Sequence, residues 1–187
     1  AAEGGGSCEE LRRLASGRTL AVERGPADVV DRCDDVVQGL GMAAMATAVY
    51  ARFERGDEGG WTLRYSNAGH PPPLLRRADG TVELLTGNLS PLIGATRAIT
   101  REETSVHCAK GDLLVLHTDG LIEAPGADPD DRTQLIADTL AAQAPDMPVE
   151  EMCDRLLGML GVDGLRDDAV LLAIRLDGED GPVASPV

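Results

Sequence analysis

The chain has 187 residues, 43% hydrophobic and only 2% aromatic, with 32 acidic against 17 basic side chains and a formal net charge of −15. That length suffices for one domain that buries about 70% of its unfolded surface, with a core built from Ala, Val and Leu. The charge opposes non-specific binding to nucleic acid or to an anionic membrane surface, and no apolar run is long enough to span a bilayer.

Residues 1–7 read as a flexible lead-in, residues 8–176 as one folded domain and residues 177–187 as a polar tail. Ser7-Cys8-Glu9-Glu10 has the form of a capping box and opens a short helix with Leu11, Leu14 and Ala15 on one side. A second helix starts at Pro26, where a first turn tolerates proline. Val29, Val30, Cys33, Val36 and Val37 form its apolar stripe, and Gly39 and Gly41 end it. Asp28, Asp31, Asp34 and Asp35 are expected on its solvated side. Residues 46–54 alternate in polarity and pair with a second alternating strand containing Trp61, Leu63 and Tyr65, which predicts an antiparallel hairpin.

Asn67-Ala68-Gly69-His70-Pro71-Pro72-Pro73 ends that hairpin. His70 has two open roles: a ligand or general acid, or a side chain that helps Asn67 tie down a tight turn. The second is favoured, because a catalytic imidazole needs a partner that the sequence does not display. Leu74–Arg77 and Thr81–Leu85 flank an Asp79-Gly80 turn and predict another hairpin. Pro91-Leu92-Ile93-Gly94 reads as a buried loop and residues 100–107 as a polar strand. His107 and His117 stand apart from any metal-binding spacing.

Leu113-Leu114-Val115-Leu116 follows the Lys110-Gly111-Asp112 turn and predicts a strand buried on both faces. It runs into Thr118-Asp119-Gly120, where Asp119 either caps a turn or projects its carboxylate towards a hard cation. Residues 124–131 read as a surface loop, and Asp130 or Asp131 as the cap of a helix carrying Leu135, Ile136, Thr139 and Leu140. A further helix follows Pro148, with Val149, Met152, Cys153, Leu156, Leu157 and Leu160 as a core stripe. The last strand, residues 169–174, is expected to be buried and to follow Arg166-Asp167-Asp168 directly. If it lies antiparallel to the Leu113 strand, the two acidic ends converge, and converging carboxylates call for a neutralising cation. Cys8, Cys33, Cys108 and Cys153 have no Cys-x-x-Cys spacing, and a reducing cytoplasm is the expected location.

The ordered set Asn67-Ala68-Gly69-His70-Pro71, Lys110-Gly111-Asp112, His117-Thr118-Asp119-Gly120-Leu121-Ile122-Glu123-Ala124 and Arg166-Asp167-Asp168-Ala169 resembles the SpoIIE-type, RsbU-like branch of the metal-dependent (PPM) serine/threonine phosphatases. The resemblance runs from about Leu11 to Leu176 and implies an α+β fold, an antiparallel β-sandwich flanked by helices. It implies a two-ion Mn²⁺ or Mg²⁺ site, with Asp119 and Asp167 as ligands and Asp167 preferred over Asp168. Gly120 would shape the turn, and Asn67, Gly69 and His70 would be structural near the site. The implied substrate is a phosphoprotein of the anti-sigma-factor-antagonist type, attacked by metal-activated water. The family's opening Gly-Gly-Asp-aromatic-x-Asp strand and Gly-Asp-Val-x-Gly-His-Gly turn have no counterpart here, so the reading is of a domain lacking its first strands and with half its metal site. Two rivals follow: a truncated, inactive pseudophosphatase (a binding module or gene fragment), and an acidic β-rich interaction domain. A homodimer stays an open alternative.

Overall fold

The structure, a computed structural model, describes residues 24–41, 44–55, 60–96, 99–123, 126–160 and 168–177. The expected lead-in, the first short helix, Asp167 and residues 178–187 of the tail lie outside the described residues. Helix α1 spans Pro26–Gly39. Strands β1 (Ala48–Arg55), β2 (Trp61–Ala68), β3 (Leu74–Arg76), β4 (Val82–Leu84), β5 (Leu89–Ser90), β6 (Thr104–Cys108) and β7 (Leu113–His117) follow. Helices α2 (Pro129–Ala142) and α3 (Val149–Leu160) then precede strand β8 (Leu171–Arg175).

The strands form two sheets. In the first, β2 pairs antiparallel with β1 on one edge, and on the other with β6 antiparallel and with β5 in parallel. In the second, the order is β4-β3-β7-β8, antiparallel throughout. Both predicted hairpins are present. The two-residue parallel pairing of β5 with the end of β2, at Asn67 and Ala68, was not anticipated.

The apolar periodicity explains the layering. Along β7 the side chains alternate: Leu114 and Leu116 enter the space between the sheets with Leu63, Tyr65, Leu75 and Cys108. Leu113 and Val115 face the other way, into a core with Ile136, Leu140, Met152 and Leu156 from α2 and α3. A run of consecutive apolar residues is what a strand covered on both faces requires. With few aromatics available, Phe53 and Trp61 close one end of the inter-sheet core edge-to-face, their ring centroids 6.5 Å apart. On the far side of the first sheet α1 contributes a small cluster, Val30 with Ala68 and Ile93. The result is an α/β/β/α sandwich, the α+β architecture that the motifs implied.

Three expectations need correction. Asp34 is not on a solvated face but 4% exposed, and its carboxylate accepts from Arg101 Nη2 at 2.8 Å and from the Gly94 N–H at 2.8 Å. Arg101 also donates to Asp31 at 3.1 Å. The buried face of α1 is therefore Val30–Asp34–Val37, while Val36 and Cys33 are exposed. The cap of α2 is Asp128, whose Oδ1 accepts from the Asp130 N–H at 2.9 Å, with Pro129 in the first turn. Lastly, β8 is an edge strand among the described residues, and Val170 and Leu172 are 56% and 51% exposed.

Candidate metal-binding end of the sandwich

The ladder between β7 and β8 pairs Leu113 with Arg175 and ends by pairing His117 with Leu171. Thr118 extends it beyond the last paired residues. Its N–H donates to the Val170 carbonyl (3.1 Å), its hydroxyl donates to the Asp168 carbonyl (3.2 Å), and the Val170 N–H donates back to that hydroxyl (2.9 Å). One threonine thus satisfies backbone groups at the entry to β8 that would otherwise need water.

Gly120 completes the docking. A Cβ built on it would lie 2.5 Å from the Asp168 carbonyl oxygen, inside any allowed contact, so only glycine permits this approach. Asp119 sits between these two anchors. It begins a single 3-10 turn, Asp119–Leu121, and its backbone carbonyl accepts from Ile122 and Glu123 at 2.8 and 2.7 Å. Its carboxylate takes the Gly120 N–H at 3.0 Å, and the side chain is exposed. Asp168, also exposed, lies directly across. The convergence of the two acidic segments follows from the β7–β8 pairing and from the small residue at 120.

The Asn67–His70 turn stands beside this end. Asn67 is fully buried; its Nδ2 donates to the His70 carbonyl and its Oδ1 accepts the His70 N–H, both at 2.9 Å. Gly69 has φ +67°, and a Cβ there would lie 2.8 Å from Cβ of Leu92. Ser90 Oγ donates to the Asn67 carbonyl at 2.6 Å, which stitches the turn to β5. The His70 ring reaches Thr47, Nδ1 to Oγ1 3.1 Å. Burial lowers the His70 pKa, against the opposing pull of Asp119 and of the His117 backbone. Burial also lowers that of His117, whose Nδ1 lies 3.0 Å from the Thr118 carbonyl. His117 Nε2 is buried and finds no hydrogen-bond partner among the described residues.

Sequence reasoning named Asp119, Asp167, Asp168, Gly120, Asn67, Gly69 and His70; Asp167 lies outside the described residues, and the structure brings the other six to one end of the sandwich. It missed Thr47, for which the sequence holds no signal, and His117, which sits two residues before Asp119 on the same strand. Among the described residues no group of three or more His, Cys, Asp or Glu side chains is placed to hold a metal ion. Asp119 and Asp168 have the hard oxygen donors that Mg²⁺ or Mn²⁺ takes while retaining several waters. They fit the donor chemistry of such an ion and supply only part of the shell of an ion pair.

Two helix-flanked, mainly antiparallel sheets of this kind make up a PPM-type phosphatase domain of the SpoIIE/RsbU kind. The chain belongs to the stage II sporulation protein E (SpoIIE) family, whose model matches residues 5–177. It is 30% identical over 114 residues to the phosphoserine phosphatase RsbP of Bacillus subtilis, covering 61% of this chain and 26% of RsbP. It is similar to the structure of the RsbU and RsbW domains of Rv1364c from Mycobacterium tuberculosis (TM-score 0.67, 25% identity, 92% of this chain, 46% of that one). The manganese-presoaked phosphatase domain of SpoIIE from Bacillus subtilis shares the fold (TM-score 0.58, 17% identity, 100% of this chain, 81% of that one). The chain spans about a quarter of RsbP and under half of the Rv1364c chain.

Proposed function

We propose that this domain hydrolyses phosphoserine or phosphothreonine on a regulatory phosphoprotein, of the anti-sigma-factor-antagonist type, with Mn²⁺ or Mg²⁺ as cofactor. The observation that carries this reading is the docking of Thr118 and Gly120 onto residues 168–170, which holds two acidic segments at one open end of the sandwich. Family membership and the likeness to the phosphoserine phosphatase RsbP support the chemistry. When bound, the ions would neutralise phosphoryl charge and activate water as the nucleophile. The chain's own part is positional. Asp119 and Asp167 would ligate, with Asp168 as the alternative second acid; Gly120 keeps the turn close, and the Asn67–His70 turn walls the neighbouring side.

The test is release of phosphate from a phosphoserine peptide and from a chromogenic phosphate monoester, with Mn²⁺, with a chelator, and for Asp119→Asn. Turnover that needs both Mn²⁺ and Asp119 is the expected result. A folded wild-type chain with no turnover at saturating Mn²⁺ would contradict this reading and leave a binding module without catalysis.

A further inference from the structure

Arg132 is the fourth residue of α2, where a cation opposes the helix dipole. Its place is explained by what it reaches. Nε and Nη2 donate to the Leu121 carbonyl at 3.1 and 3.0 Å, and Nη2 also donates to the Leu160 carbonyl at 3.0 Å. Leu121 ends the 3-10 turn that begins at Asp119. Leu160 ends α3, where a carbonyl has no helical donor. Both leucines are buried in one core cluster, so neither carbonyl is readily served by water. The planar guanidinium reaches the two carbonyls with a rigid fork of donors on two nitrogens, where an ammonium offers three donors on one freely rotating nitrogen.

We propose that Arg132 is a positioning residue that couples the two acidic segments by holding the exit of the Asp119 turn between the start of α2 and the end of α3, so that Thr118 and Gly120 stay docked on residues 168–170. Thr118 and Gly120 fix the segments to each other on the strand side, and Arg132 holds the Asp119 turn from behind. The catalytic consequence rests on the phosphatase reading; the coupling itself does not.

Two arms separate these claims. The first is amide hydrogen exchange on the full chain for Arg132→Met, with Arg155→Met, an exposed Glu151-paired arginine, as control. Exchange at Leu121, Ile122 and Val170, all hydrogen-bonded amides, should quicken together by about tenfold or more, while the β3–β7 ladder keeps its protection. Arg132→Lys keeps the charge without the fork; it should give the same pattern at smaller size, and it carries the comparison if Arg132→Met does not fold. Quickening at Leu121 and Ile122 with Val170 unchanged would overturn the coupling. So would uniform quickening that includes the β3–β7 ladder, since Arg132 would then be a general stability residue. The second arm is Mn²⁺-dependent hydrolysis, where kcat should fall about tenfold or more with KM unchanged. A wild-type chain without turnover counts against the phosphatase reading, and the exchange arm still decides the coupling.

Discussion

Gly120 stands so close to Asp168 that its missing Cβ would sit 2.5 Å from the Asp168 carbonyl oxygen and 3.0 Å from the carbonyl carbon. The neighbour is backbone, so it cannot swing aside as the end of a long side chain would. Gly120→Ala should therefore push the start of β8 away from the Asp119 turn. The expected cost is about 1–3 kcal/mol, the usual range for overpacking. A urea melt checks the stability. Metal-dependent hydrolysis, if present, should fall more steeply than stability, because the separation of Asp119 from Asp168 is what changes.

The Asn67 side chain closes its turn with two hydrogen bonds, one in each direction, to the backbone of His70. Asn67→Ala would leave the N–H and the carbonyl of half-buried His70 without this partner, at about 1 kcal/mol for each lost hydrogen bond. The His70 ring should then lose its fixed contact with Thr47. Thermal unfolding together with the His70 ring resonances in NMR would show both effects. An unchanged melting temperature would mean that the turn is held by Gly69 and the following prolines alone.

Much of this architecture was legible in the residues. The unbroken apolar run at Leu113–Leu116, bounded by turn residues, reads as a strand covered on both sides, and Leu113/Val115 and Leu114/Leu116 do feed separate cores. The alternation in β1 and β2, and the turn at Asp79-Gly80, specify local pairing and needed no distant information. What stayed hidden depends on partners far along the chain. Asp34 looks like one of several solvated acids on α1 until Arg101, 67 residues on, is placed over it. The exposure of Leu172 follows from which strands flank β8, which composition does not encode. At the site the acids and glycines carried a signal through their order, whereas Thr47 had none.

The Asp34–Arg101 pair gives a pH prediction. Burial alone would raise the Asp34 pKa, but hydrogen bonds from Gln38, the Gly94 N–H and Arg101, with the charge of Arg101, outweigh it and hold its carboxyl below the usual aspartate value. A folded-state pKa below the unfolded one contributes stability above the unfolded value, and that contribution is lost as pH falls through the lower, folded value. Acid titration of unfolding should therefore show a stabilising contribution, intact above about pH 4 and fading below it, that Asp34→Asn abolishes. Arg101→Met strands Asp34 without its cation and should cost about 3 kcal/mol near neutral pH.

The most direct measurement is the effect of Mn²⁺, which is paramagnetic, on the amide NMR spectrum of the chain. With a net charge of −15, stray cation binding to surface acids is the competing outcome. Binding at the end of β7 predicts that the resonances of Gly120, Leu121 and Val170 broaden first, at low Mn²⁺. The β3–β7 ladder near Leu75 should stay sharp, and Asp119→Asn should remove the selective broadening. Broadening that begins elsewhere, or that spreads evenly and survives Asp119→Asn, would contradict a metal-binding end built on Asp119 and its partners across the ladder.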